Sequence, residues 1–179
     1  GESYIQCPLT RDIDVLLEFT DEIEIIDREH DGTAIGMAIA NSINRLRESE
    51  AKSKTIILLS DGSNNQGELA PITAADLAAK FDIKIYTVAA GKHGLAPYPV
   101  TDAWGRQVIQ NVQVDVDEES LKEIAEITGG QFFRATDNKS LQKVYEEIDA
   151  LERTEIEVTE YQNYTELYSW FTIPAAFAS

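Results

Sequence analysis

Two short apolar runs, each stopped by a cluster of turn-forming residues, frame the chain. Thr55-Ile56-Ile57-Leu58-Leu59 leads into Ser60-Asp61-Gly62-Ser63-Asn64-Asn65-Gln66-Gly67. Its unbroken hydrophobicity predicts a strand buried on both faces of a parallel sheet. The run from Ile83 to Ala90 is more mixed but rich in β-branched residues, and it stops at Gly91. Gln131-Phe132-Phe133-Arg134-Ala135 supplies a third strand.

Helical spacing fills the gaps. Ile13, Leu16, Leu17 and Thr20 share a face within 11–21, and Ile35, Ile39, Ile43 and Leu46 form a stripe after Asp31-Gly32-Thr33. Ala74, Leu77, Ala78 and Phe81 make a shorter stripe. Leu121, Ile124, Ala125 and Thr128 follow a capping Asp117 and stop at Gly129-Gly130. Leu141, Val144, Tyr145, Ile148 and Leu151 form the last stripe, capped near Asp137. The predicted order is strand remnant, helix, helix, strand, helix, strand, insertion, helix, strand, helix. Strands alternating with helices of this length predict an α/β fold, a doubly wound and mostly parallel sheet with helices on both faces.

Between Gly91 and Asp117 the pattern changes. Tyr98–Thr101 and Gln107–Val114 flank Asp102-Ala103-Trp104-Gly105-Arg106, which predicts a β-hairpin inserted at about 97–116. Trp104 at its tip reads equally as an exposed contact or as a lid folded on the domain. The domain proper is expected to span 1–154. Residues 155–179 read as a tail, polar and dotted with aromatics, forming a strand or linker that leads to a membrane. The apolar run Trp170-Phe171-Thr172-Ile173-Pro174-Ala175-Ala176-Phe177-Ala178 is far shorter than the ~20 residues of a span. It reads either as a tail docked on the domain or, the preferred reading, as the first turns of a membrane helix. At the other end, Gly1-Glu2-Ser3-Tyr4-Ile5-Gln6 shows neither an initiator Met nor a signal-peptide pattern.

Charge narrows the partners. Fifteen Lys and Arg against 32 Asp and Glu leave a formal net charge of −17. Such a field repels nucleic acid and anionic membrane surfaces and favours cations and basic protein surfaces. Cys7 is the sole cysteine, so no internal disulfide forms; His30 and His93 share no ligand spacing, which leaves no zinc cluster.

Chemistry in an open α/β sheet gathers at the carboxyl ends of the strands. Asp61 falls there, directly after the most apolar strand, followed by Gly62 and a polar loop. A carboxylate in that position suits a hard divalent cation. Thr33, in Gly32-Thr33-Ala34-Ile35-Gly36, is the second oxygen donor. Taken singly, Thr33 also reads as a helix N-cap and Asp61 as a turn residue.

Taken together, the run from Thr55 to Gly62 with Asp31-Gly32-Thr33 upstream resembles a von Willebrand factor A-type domain. The likeness is closer to the membrane-anchored bacterial aerotolerance (Bat) branch. It is carried by Gln6-Cys7-Pro8-Leu9-Thr10, Asp31–Gly36, Ile56–Gly62, Asn64-Asn65, Ala96–Val100, Ile124–Gly130 and Phe133–Asn138. The resemblance implies a metal-ion-dependent adhesion site built from three loops, with Thr33 at the second position and Asp61 at the third. The first loop, Asp-x-Ser-x-Ser, occurs nowhere in this sequence, so the family's first strands are expected to lie before Gly1.

The resemblance further implies Mg²⁺, or Mn²⁺ or Ca²⁺, in an intact domain, with weak or absent binding by this chain alone. It implies a partner carboxylate that completes the metal shell, and a MoxR-type AAA+ ATPase and other Bat-type proteins as partners in stress tolerance or complex assembly. It also implies a bacterial inner-membrane protein whose domain faces the periplasm. The expected function is protein binding and not catalysis. The alternatives are a metal-independent interaction module and, less favoured, a Mg²⁺-dependent phosphoryl-transfer enzyme. The enzyme would need further acidic groups and a Lys, for which only Lys92 beyond Gly91 offers itself. No P-loop or nucleophile-elbow sequence is present. With its neighbouring strand missing, the Thr55–Leu59 edge is expected to pair with another chain, as a dimer or a strand swap.

Overall fold

The computed structural model describes residues 3–23, 32–61, 64–91, 94–101, 106–114 and 117–162. Its elements run α1 (Ile13–Asp21), α2 (Ile35–Leu46), β1 (Thr55–Ser60), α3 (Pro71–Lys80), β2 (Lys84–Ala90), β3 (Gly94–Thr101), β4 (Gln107–Val114), α4 (Glu118–Ile127), β5 (Phe132–Ala135) and α5 (Asn138–Gln162). The chain divides into two units, Gly1–Val144 and Tyr145–Ser179. The first holds both sheets.

β1, β2 and β5 form a parallel sheet in the order β1-β2-β5. The alternation of strand and helix seen in the sequence is thus realised as a parallel α/β fold. Among the described residues β2 is the only one of the three with a neighbour on each side, and Ile85 through Ala89 are all buried. On one face, Ile85 and Ala89 join Ile35, Ile39 and Ile43 of α2, Ala74, Ala75 and Ala78 of α3, and Leu121 and Ile124 of α4 in one core. On the other, Val88 and Phe133 stand opposite each other in register, and the Tyr86 and Phe133 rings lie 6.3 Å apart at 44°.

Side-chain hydroxyls stitch α4 to β2. Thr87, fully buried, donates to the Leu121 carbonyl at 2.8 Å. Thr128 Oγ1 accepts from the Ile85 amide at 3.1 Å and donates to the Ile124 carbonyl at 2.9 Å. Both hydroxyls, one buried and one half-buried, are satisfied, so neither carries the penalty of an orphaned donor. Asp117 caps α4 by accepting from the Ser120 amide, and Gly129 closes it at φ +70°. Asp137 likewise accepts from the Ser140 amide at the start of α5.

Four expectations are corrected. β1 is not buried on both faces. Ile56, Leu58 and Ser60 face the helices, but Ile57 and Leu59 are 38% and 44% exposed, because β1 is an edge strand among the described residues. The face α3 buries is Ala74, Ala75 and Ala78, with Leu77 and Phe81 exposed. Alanines lie there because α3 packs close to α2, where larger side chains would hold the helices apart. Residues 155–162, expected as strand or linker, continue α5. No strand forms before α1 among the described residues, and the apolar side of α1 is uncovered, with Ile13 at 71% exposure.

The inserted hairpin is present, and β3 begins earlier than expected, at Gly94. Trp104 and the apolar run after Trp170 lie outside the described residues, and no described helix is long and apolar enough to cross a membrane.

The contact between α2 and the segment entering α3 leaves no room for a side chain at position 36. A Cβ there would overlap the Leu69 carbonyl. Gly36→Ala is therefore expected to destabilise the domain by about 1–3 kcal/mol, the usual cost of overpacking. Urea unfolding measures this, and an unchanged midpoint would show that the Leu69 backbone yields freely.

Candidate functional site

β1 delivers Asp61 to the carboxyl edge of the parallel sheet, and the turn into α2 brings Thr33 to the same edge. The link between them is a set of hydrogen bonds from the loop just past Asp61. Asn65 Oδ1 accepts from the Thr33 amide at 2.8 Å, and Asn64 Oδ1 accepts from the Ile35 amide at 2.8 Å. In return, the Asn65 and Gln66 amides donate to the Thr33 carbonyl at 3.0 and 3.1 Å.

The start of α2 explains why this arrangement forms. Its N-cap is Ala34, which has no side chain able to cap. The first amides of a helix need acceptors from outside it, and here Asn64 supplies one from 29 residues away. Thr33 is not the N-cap; it stands one residue earlier, with its backbone held on both sides by the Asn64–Gln66 segment. Among the described residues its hydroxyl has no hydrogen-bond partner, and neither does the exposed Asp61 carboxylate.

A hollow of about 290 Å³ opens beside these loops, lined by Gly32 to Ile35, by Ala38, by Leu58 to Ser60, and by Ser3 and Tyr4. Thr33 lines it directly and Asp61 does not. A larger hollow of about 370 Å³ lies between the 3–9 segment and α2, where the Asn41 amide donates to Ser3 Oγ at 2.9 Å. It includes neither candidate residue.

A divalent cation can be tested against the donors present. Mg²⁺ takes six oxygens in an octahedral array, and Ca²⁺ takes six to eight. Thr33 and Asp61 offer one hydroxyl and one carboxylate, and no group of three acidic, His or Cys side chains comes together among the described residues. This donor set does not fit a complete hard-metal site. Asp31, Gly62, Ser63 and Lys92 lie outside the described residues.

Asn64 and Asn65 are the residues that spacing and hydropathy passed over. They carry part of the family resemblance, but nothing in their local pattern beyond a polar loop after β1 assigns them a role. An acceptor that caps a helix from a distant loop leaves no local pattern.

A family model described as von Willebrand factor type A domain matches residues 1–147. The chain is 26% identical over 174 residues to an uncharacterized protein of Borreliella burgdorferi, a match covering 97% of this chain and 51% of that protein. It therefore spans about half the length of that curated relative. Among solved structures it resembles the conserved hypothetical protein BatB from Bacteroides thetaiotaomicron, with 28% identity and a TM-score of 0.67. That match covers 86% of this chain and 76% of BatB. It also resembles an aerotolerance-related membrane protein from Bacteroides fragilis at 25% identity and a TM-score of 0.63, covering 80% of this chain and 72% of that one.

Removing the Asn64 acceptor leaves the Ile35 amide half-buried without its partner. Asn64→Ala is expected to cost about 1 kcal/mol of folding stability, while Asn64→Asp keeps an acceptor and loses less. Chemical denaturation of both variants tests this; equal losses would mean that the acceptor does not matter.

Proposed function

Because the chain belongs to the von Willebrand factor type A family, which its match over residues 1–147 establishes, we propose that it is a protein-binding module whose contact face is the carboxyl edge of the sheet around Thr33 and Asp61. The observation that carries this reading is the hydrogen-bonded union of the two loops. It fixes the Thr33 backbone beside an open hollow whose lining runs up to Ser60, with Asp61 next in the chain; the Thr33 hydroxyl and the Asp61 carboxylate both lack partners among the described residues. Side chains at such an edge are free to meet a ligand without disturbing the core.

In this reading Thr33 and Asp61 are two oxygen donors of a divalent-cation site for Mg²⁺, or for Mn²⁺ or Ca²⁺. Three further donors come from an Asp-x-Ser-x-Ser motif carried by a longer chain, and a carboxylate of the partner protein supplies another. The 179-residue chain alone is expected to bind Mg²⁺ weakly or not at all. A metal-independent contact is the second reading, and the incomplete donor set favours it for this chain as it stands. Nothing in either reading requires catalysis.

The setting we propose is the periplasmic side of a bacterial inner membrane, with a MoxR-type AAA+ ATPase and other Bat-type proteins as partners in stress tolerance or complex assembly. Support comes from the aerotolerance-related membrane protein that shares this fold at 25% identity. The edge of β1 that pairs with no strand among the described residues offers a further place for a strand from another chain or from elsewhere in a longer one.

The deciding comparison uses this chain and an extended chain that carries the missing motif. Calorimetry with Mg²⁺ is expected to show binding only by the extended form, and equal tight binding by both would overturn the assignment of donors. Capture of the MoxR-type ATPase by the extended form is expected to need Mg²⁺ and to be lost in Asp61→Ala. Capture indifferent to chelator and to that substitution would move the contact away from this edge.

A further inference from the structure

The β3–β4 hairpin has two outer edges of opposite character. β3 and β4 pair antiparallel in a register that sets Pro97 opposite Asn111 and Pro99 opposite Ile109. Directly opposed residues in such a ladder alternate between pairs that exchange hydrogen bonds and pairs that do not. Proline has no amide hydrogen to exchange, so the Pro97–Asn111 and Pro99–Ile109 pairs are of the non-bonded kind. By alternation the same holds for Leu95–Gln113 and Thr101–Gln107.

The backbone groups of those residues therefore point away from the hairpin. On the outer edge of β3, Pro97 and Pro99 remove the two central donors, which closes that edge to another strand. On the outer edge of β4, the peptide groups of Gln107, Ile109, Asn111 and Gln113 stand complete. Among the described residues no strand pairs with them. Ile109 is 77% exposed.

We propose that the outer edge of β4 pairs with β4 of a second copy of this chain, antiparallel about a twofold axis through Gln110. The argument for a second copy is symmetry. The four outward residues are centred on position 110, so this one register sets Gln107 opposite Gln113 and Ile109 opposite Asn111 in both directions. All four outward peptide groups are then used, two bonds per pair. The same register places Val108 opposite Val112 and Gln110 opposite its own copy.

Charge supports the same occupant. The chain carries −17 overall, so most of its surface repels a second copy, yet Gln107-Val108-Ile109-Gln110-Asn111-Val112-Gln113-Val114 holds no charge at all. The product is a continuous four-stranded sheet, β3-β4-β4′-β3′, whose two free edges are both the proline-bearing β3. Growth therefore stops at two copies, as a closed twofold contact should.

The test is sedimentation of the 179-residue chain over a range of concentrations. A monomer–dimer equilibrium is expected, shifted to monomer by at least tenfold in Ile109→Pro and in Asn111→Pro. Both substitutions remove only outward-pointing amides, and circular dichroism should be unchanged. A second measurement does not depend on those variants folding. In a Cys7→Ser background, Gln110→Cys should form an intermolecular disulfide on mild oxidation, since the Cα atoms of a non-bonded pair lie about 4.5 Å apart. Val108→Cys should not, because its own copy would be four residues away along the strand, about 13 Å. A strictly monomeric chain, a dimer insensitive to both prolines, or crosslinking through position 108 as readily as 110 would each overturn the proposal.

Discussion

The rest of the domain is organised by the burial of β2. Among the described residues it is the one strand hydrogen-bonded on both sides in the parallel sheet, and its five central residues are enclosed on both faces. A parallel ladder is stable only when covered, so the helices that follow and precede it are obliged to pack against it. Thr87 and Thr128 then fix α4 on it with satisfied hydroxyls, while Ile85 and Ala89 anchor α2 and α3 through the shared apolar core. The carboxyl edge, where Thr33 and Asp61 lie, is located by this arrangement and not by any interaction of those two side chains.

Much of this was legible in the sequence because it is local. The apolar runs at 55–59 and 83–90, the stripe Ile35, Ile39 and Ile43, the caps at Asp117 and Asp137, and the glycines after α4 all leave patterns within one element. What failed was relational. Whether a run such as Ile56-Ile57-Leu58-Leu59 is covered on one face or two depends on which strand stands beside it, and hydropathy carries no such term. The α3 stripe was misplaced for a related reason. Weighting large residues selects Leu77 and Phe81, whereas a tight interhelical contact is made by Ala74, Ala75 and Ala78.

The candidate site divides in the same way. Asp61 and Thr33 could be named because strand ends and helix mouths are recognisable in sequence. Their connection could not, because Asn64 and Asn65 act across 29 and 32 residues. An Ala at the helix N-cap was the one local clue that something distant had to cap α2.

That borrowed cap has a mechanical meaning. Residues 64–66 and the turn into α2 are clasped through both amide and carbonyl of Thr33, so neither can shift without stretching hydrogen bonds to the other. Gly36 in turn sits against the Leu69 carbonyl, which ties the start of α2 to the segment that opens α3. Whatever docks at this rim meets backbone already bound to two helices of the core, and has little loop freedom left to freeze.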